Sequence, residues 1–386
     1  MKFFHLSDMH IGKQLHRYSL KEDQEAILWE ITDYAWKIHP DAIVIAGDIY
    51  DKSTPSAEAV TIFDRFLTGL AEITPKIPIL IISGNHDSAE RLQYASEILK
   101  KNHIYMAGSV PETEGERIRK VILKDEEGEV DFYLLPFMKP SYVRNVFRDN
   151  PPESYSEAVK RIIERENIDY DTRRNVLVSH QFYVGDGGEA PKTCDSEVCS
   201  VGGIDQVDTA GVAGFDYVAL GHLHGAQKVG SEKIRYCGTP LKYSVSECGH
   251  HKTLTVVTLK SKKDVLQIEE LPLHPIRDVR KKTGTLEEIL AGAREEERED
   301  YVSITLTDEI DPYKPREQLE RVYSHVLEIR VDNQRTRKKL EETEEEPEVK
   351  DPFSAFEDFY REMQGKDMSE EEKKVMEQIF DEVKGE

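Results

Sequence analysis

Five histidines, three aspartates and one asparagine recur in short polar motifs along the 386-residue chain: Asp8-Met9-His10, Gly47-Asp48, Gly84-Asn85-His86-Asp87, His180 and Gly221-His222-Leu223-His224. Their side chains offer oxygen or imidazole nitrogen and no thiol, a donor set that suits Mn2+, Fe2+ or Zn2+ better than Ca2+. Asp8 and His10, two residues apart at a strand end, can face the same side and reach one ion. Asp8, His10, Asp48 and His224 would complete one metal site, and Asp48, Asn85, His180 and His222 a second. Asp48 is the natural bridge, because one carboxylate can give an oxygen to each ion. Two ions about 3.5–4 Å apart lower the pKa of a shared water and neutralise both oxygens of an in-line phosphoryl displacement. Water attacks, and no protein nucleophile is needed. His86, beside Asn85, need not bind metal and can protonate or stabilise the leaving oxygen. Asp87 can either orient His86 or cap the helix that follows.

Each motif follows a short apolar run, and those runs are what must position it. Residues 2–7, 42–46 and 79–83 read as strands rich in Ile, Val and Phe. Residues 22–38 and 56–70 carry apolar side chains near helical spacing. Such alternation indicates an α/β domain with a largely buried sheet. Residues 176–179 and 217–220 are further strands ahead of the later histidines. Residues 118–123 and 130–135 read as a hairpin. Ligands of open α/β sheets sit outside the carboxyl ends of strands, so five motifs far apart in sequence can meet in one cleft.

The remaining chain divides by composition. Strand-like segments at 253–259 and 265–271 close the first domain, taken as residues 1–260. A smaller α/β unit over 261–340 has helices at 286–293 and 315–326 and strands at 301–306 and 327–331, with no chemical motif. Residues 341–350 read as an acidic linker. Residues 351–386 read as a helical segment with Phe353, Phe356, Phe359, Tyr360 and Met363. Ser369 is then an N-cap with Glu372 three residues on, followed by an apolar face of Met376, Ile379, Phe380 and Val383. So short a helical pair buries its aromatics poorly alone, so docking onto a partner is expected.

The net charge is −23. From residue 341 onward there are 18 acidic and 6 basic residues, which leaves −11 for residues 1–340. A nucleic-acid ligand would therefore be held by local basic patches, by the metals or by a partner. Four cysteines without CxxC spacing read as reduced thiols. A small zinc or redox site at Cys237, Cys248, His250 and His251 is the alternative. With no apolar stretch of about 18 residues, no membrane helix is expected, and the chain reads as cytoplasmic.

The five motifs together resemble those of the calcineurin-like metallophosphoesterases: DxH, GD, GNHD, a solitary His and GHxH. That resemblance implies a four-layer double β-sandwich flanked by helices and agrees with the metal and catalytic roles given above. Residues 47–51, 84–92 (GNHDSAERL), 179–182, 216–224 (DYVALGHLH) and 237–247 (CGTPLKYSVSE) are similar, more narrowly, to the Mre/Rad-type break-repair nucleases, whose bacterial members are subunits of SbcCD complexes. The likeness implies a Mn2+-dependent 3′→5′ double-strand exonuclease and single-strand endonuclease, with Mg2+, Fe2+ or Zn2+ as alternative ions. It also implies a homodimer within a heterotetramer with an SbcC-type ATPase that alone binds ATP, since this chain has no GxxxxGK[ST] loop. The small domain then corresponds to a DNA-capping domain and the tail to the ATPase-binding segment. Candidate DNA-phosphate contacts are Lys13, Arg17, Lys52, Arg91, Lys139, Arg144 and Lys242. Two rival readings are a small-phosphoester hydrolase of the same fold and a scaffold without metals. The first is disfavoured by the extra domain and tail, and the second by the filled ligand positions.

Overall fold

The computed structural model describes residues 1–185, 190–197, 205–262, 264–310 and 312–334, with residues 356, 357, 360, 361, 366–370 and 372–376 of the tail. Two six-stranded sheets stack on one another. The first runs Gln267–Pro272, Thr253–Thr258, Lys2–Leu6, Ala42–Ala46, Ile79–Ile82, Ile104–Ala107. The second runs Gln227–Val229, Ser231–Tyr236, Tyr217–Gly221, Arg174–His180, Gly128–Leu135, Arg119–Asp125.

Strand alternation explains the layering, because successive side chains point to opposite faces. In Ala42–Ala46, Val44 faces the second sheet, in a core shared with Phe3, Leu80, Phe132, Val178 and Tyr217. Ile43 and Ile45 face the other way, toward Ile27, Ile31, Phe63 and Phe66 of the helices Lys21–Ile38 and Ala57–Glu72. The second sheet is covered in turn by Tyr155–Glu164, through Ala158, Val159, Ile162 and Ile163. Helix, sheet, sheet and helix make four layers, the double sandwich expected. Because the central strands are buried on both faces, they read as unbroken apolar runs.

The first sheet extends past the expected boundary at residue 260. Gln267–Pro272 pairs antiparallel with Thr253–Thr258, the polar, largely exposed edge strand expected over 265–271. A three-stranded parallel sheet follows, ordered Val279–Gly284, Tyr301–Leu306, His325–Val331, with helices Leu286–Ala291 and Pro315–Leu319. The second of these helices stops well short of residue 326. The Ser324 amide donates to Arg298 O at 2.9 Å and draws the chain into the third strand. This unit seats on the first helix: Arg277 Nη1 and Tyr301 Oη each lie 2.9 Å from Asp23 Oδ2.

The expected linker at 341–350 lies outside the described residues, as do Phe353, Phe359, Met363, Ile379, Phe380 and Val383. Within the tail, Ser369 and Glu372 exchange the reciprocal bonds of a capping box, Glu372 N to Ser369 Oγ at 3.3 Å and Ser369 N to Glu372 Oε2 at 2.8 Å. Among the described residues, no helix is long and apolar enough to cross a membrane.

Candidate metal centre

Five loops leave the carboxyl ends of strands from both sheets and converge. Their backbone is unusual where the chemistry lies: Asp8 (φ 51°), His10 (φ 42°), Asp48 (φ 50°) and His222 (φ 105°) all occupy the left-handed side of backbone space. Non-glycine residues rarely do so, and the surroundings must impose it. The Asp8 amide donates to Gly47 O at 2.9 Å and the His10 amide to Asp48 O at 3.0 Å, which locks the first two loops together. Gly47 (φ 90°) and Gly84 need the absence of a side chain for a further reason. A Cβ on Gly47 would strike the His180 ring, and one on Gly84 would strike the Asp48 carboxylate.

All seven expected ligands meet here, and Asp8, His10, Asp48, His180, His222 and His224 are buried. Potential ligand atoms gather as Asp8, His10 and His224, as Asp8, Asp48 and His180, and as His10, Asp48 and His86. His10 Nε2 faces His224 Nε2 at 3.2 Å. Asn85 Oδ1 receives His180 Nε2 and His222 Nδ1, each at 3.0 Å. Asp48 Oδ2 lies 3.4 Å from His180 Nε2 and 3.8 Å from His10 Nε2, between the two groups.

This arrangement fits divalent cations. His222 Nε2 is buried without a hydrogen-bond partner, and such a group is rare unless something else satisfies it. The far side of two rings is fixed for ligation. His180 Nδ1 lies 2.7 Å from Ala46 O, which can only accept, so Nδ1 carries the proton and Nε2 faces the site. His224 Nδ1 meets Ser196 Oγ at 2.8 Å. Burial opposes charge on both partners, but Asp48 outweighs it and pushes His180 up to about 9, while His180 holds the Asp48 carboxyl below its usual range. A bound cation would take over that neutralising role and release the proton.

His86 stands at the rim, half-buried. Its amide donates to Asp48 Oδ1 at 2.9 Å and its Nδ1 to Asp51 O at 2.8 Å, which fixes the ring edge-on to His10 with centroids 4.8 Å apart. The Asp87 carboxylate is held by backbone amides of two loops. Its Oδ2 accepts from Gly84 N at 2.9 Å and Ile49 N at 3.1 Å, and its Oδ1 from Tyr50 N at 3.0 Å. Those bonds occupy the carboxylate, and Ser88 caps the following helix instead, accepting from Arg91 N. Asp87 is thus a positioning residue that ties the GNHD loop to the GD loop.

Sequence reasoning missed the residues behind the ligands. Gln24 Nε2 donates to His10 O at 2.8 Å, and Glu247 and Lys252 form a buried pair at 2.6 Å beneath His224. Only Glu247 falls in one of the family-like stretches. Among the expected phosphate contacts, Lys52, Arg91, Lys139 and Arg144 are exposed. Lys242 is largely buried and committed to Asp278 at 2.7 Å, Lys13 pairs with Asp51 at 2.9 Å, and Arg17 ties to Glu320 at 2.9 Å. The cysteine–histidine alternative does not assemble among the described residues: Cys237 Sγ is buried against Ser7 Oγ at 3.0 Å, and His250 Nε2 faces Cys194 Sγ at 3.9 Å.

Two grooves adjoin the centre. One, of about 960 Å3, is lined by Asn85, His222, Phe137, Phe182, Tyr142 and Lys139. The other, of about 660 Å3, includes Lys13, His16, Lys21, Asp51 and Lys52.

The sequence matches the calcineurin-like phosphoesterase family over residues 1–226 and the type 5 capsule protein repressor C-terminal domain over residues 272–364. The SbcD component of the SbcCD nuclease of Staphylococcus epidermidis is 35% identical over 330 residues, covering 85% of this chain and 84% of that protein. Among solved structures, a dimetal phosphatase from Danio rerio is 13% identical and covers 70% of this chain and 96% of that one, with a TM-score of 0.43. A phosphopantetheinyl hydrolase from Mycobacterium tuberculosis is 15% identical and covers 62% and 90%, with a TM-score of 0.33. The family matches and the 35% identical relative carry the assignment, and those two structures add nothing to it. The chain belongs to the calcineurin-like phosphoesterases and, within them, to the SbcD family of nuclease subunits.

Proposed function

We propose that this chain is the cutting subunit of a complex with an SbcC-type ATPase, acting on DNA ends and hairpins in repair, recombination and replication. In this reading it degrades duplex DNA 3′→5′ and cuts single strands, as one of two copies in a heterotetramer, with Mn2+ as the working ion and ATP bound only by the partner. The observation that carries the nucleic-acid part is the 35% identity to a nuclease subunit across 330 residues, a span too long for the metal domain alone. The residues of the centre support the chemistry.

Two divalent ions held by Asp8, His10, Asp48, Asn85, His180, His222 and His224 would supply Lewis acidity and an activated water. The chain's own part is to fix donors and to move a proton. Asp48 spans both ligand groups. His86 presents the ring nitrogen opposite Asp51 O to the leaving oxygen, as donor or stabiliser. Asp87 keeps His86 and Asp48 in register by joining their loops. The groove with His16 and Lys52 would take strand phosphates, whereas Phe137 and Tyr142 beside the other offer stacking surfaces for unpaired bases. The small domain would position duplex, and the tail would dock on the ATPase.

The test is cleavage of linear duplex and of single strands by the chain with its ATPase, across Mn2+, Mg2+, Fe2+ and Zn2+, beside hydrolysis of mononucleotides. Metal-dependent DNA cleavage that is lost from the complex when residues 341–386 are removed is expected. Efficient mononucleotide hydrolysis with intact DNA under every ion would overturn the nuclease reading.

A further inference from the structure

His224 is held from several directions. Its Nε2 faces the centre, toward His10. Its amide lies 2.5 Å from Glu197 Oε1, and Lys252 Nζ donates to its carbonyl at 2.9 Å. Behind the ring, Ser196 Oγ sits 2.8 Å from Nδ1 and 2.7 Å from Glu247 Oε1, while Glu247 Oε1 is 3.4 Å from Nδ1 itself.

Proton directions follow from what each atom can do. Glu247 is fully buried. Its Oε2 accepts from Lys252 Nζ at 2.6 Å in a buried ion pair, which holds it as a carboxylate. An ionised carboxylate only accepts, so the Ser196 hydroxyl proton points at Glu247. The Ser196 lone pair then takes the proton on His224 Nδ1, and His224 Nε2 is left bare for a cation. The other half of the centre is fixed differently: His180 Nδ1 donates to the main-chain carbonyl of Ala46 at 2.7 Å, with no part for residues 190–197.

We infer that Ser196 and Glu247 are a positioning pair that fixes His224 as a donor to one of the two ions, so that segment 190–197, which bears no metal motif, governs occupancy of that ion and not of its neighbour. Outer partners of ligating histidines set ring orientation and basicity, and their loss weakens metal affinity about 10–100-fold. The inference rests on the metal assignment proposed above, but its test does not need DNA.

Mn2+ is titrated into the full-length protein and into Ser196→Ala, Ser196→Thr and Glu247→Gln, followed by electron paramagnetic resonance. Two ions in contact give a coupled spectrum, and a lone bound ion gives a six-line one. In Ser196→Ala and Glu247→Gln the second ion should bind about 10–100-fold more weakly than in the parent, with the six-line species building up first. Ser196→Thr keeps the hydroxyl and should follow the parent. Glu247→Gln strips a buried lysine of its counter-charge and endangers folding, so Ser196→Ala, which leaves the Glu247–Lys252 pair intact, decides. Ser196→Ala that fills both sites at parental concentrations, or weakens both equally, overturns the inference. A parent protein that takes up no Mn2+ overturns it together with the metal assignment.

Discussion

His10 Nε2 and His224 Nε2 face each other at 3.2 Å in a buried cleft. With the His224 proton on Nδ1 toward Ser196, as inferred above, its Nε2 offers a lone pair toward another imidazole nitrogen. A cation between the two satisfies both. Divalent ions should therefore stabilise the fold, by about 2.7 kcal/mol when the free ion is about 100 times its Kd. Thermal melting after treatment with a chelator, and again after Mn2+ is restored, should show a fall in Tm and its recovery. A Tm indifferent to both treatments would argue that these nitrogens do not hold a metal.

His86 should separate binding from turnover. Its amide anchors to Asp48 and any substituent can provide that bond, whereas the ring is needed for proton transfer. His86→Ala is expected to keep both ions by elemental analysis and to lose about 10²–10⁴-fold in kcat. Loss of an ion would make His86 a ligand, consistent with its place beside His10 and Asp48.

Asp87→Asn should act through the scaffold. The asparagine amide nitrogen replaces one oxygen and turns a donor toward an N–H of Ile49, Tyr50 or Gly84. A cost of about 1–3 kcal/mol in urea unfolding is expected, with metal affinity and activity falling together. Unchanged stability with lost turnover would instead give Asp87 a direct part in the chemistry.

His5 makes the fold sensitive to acid. Its Nε2 donates to Leu220 O at 3.2 Å and its Nδ1 accepts from Tyr217 Oη at 2.9 Å, so the buried ring is neutral. Burial lowers its pKa from 6.5 to about 3, against the pull of the Leu220 bond. The unfolded chain then binds more protons than the native one between those values, and stability rises with pH across that window. The contribution is fully present above about pH 6.5 and is lost as pH falls toward 3, an effect on the order of a few kcal/mol. His5→Gln should be less stable at neutral pH yet lose less stability on acidification. Parallel pH curves for the two proteins would contradict this.

Much of the centre was legible because its ligands follow strands buried on both faces, and such strands are unbroken apolar runs. Asp8, Asp48, Asn85, His180, His222 and His224 all stand at or just beyond a strand end. Their supports were not legible. Ser196, Glu247 and Lys252 meet His224 through folded loops, and nothing in their spacing marks that contact. The partners of Asp87 are backbone amides, which have no sequence signature. The polar edge strand Val279–Gly284 exposes much of its length and carries no apolar run to mark it.

The most direct measurement is anomalous diffraction at the manganese edge from crystals grown with Mn2+. Two peaks about 3.5–4 Å apart are expected, one against Asp8, His10 and His224, the other against Asn85, His180 and His222, with Asp48 touching both. A single peak, or peaks away from these seven residues, would contradict the account.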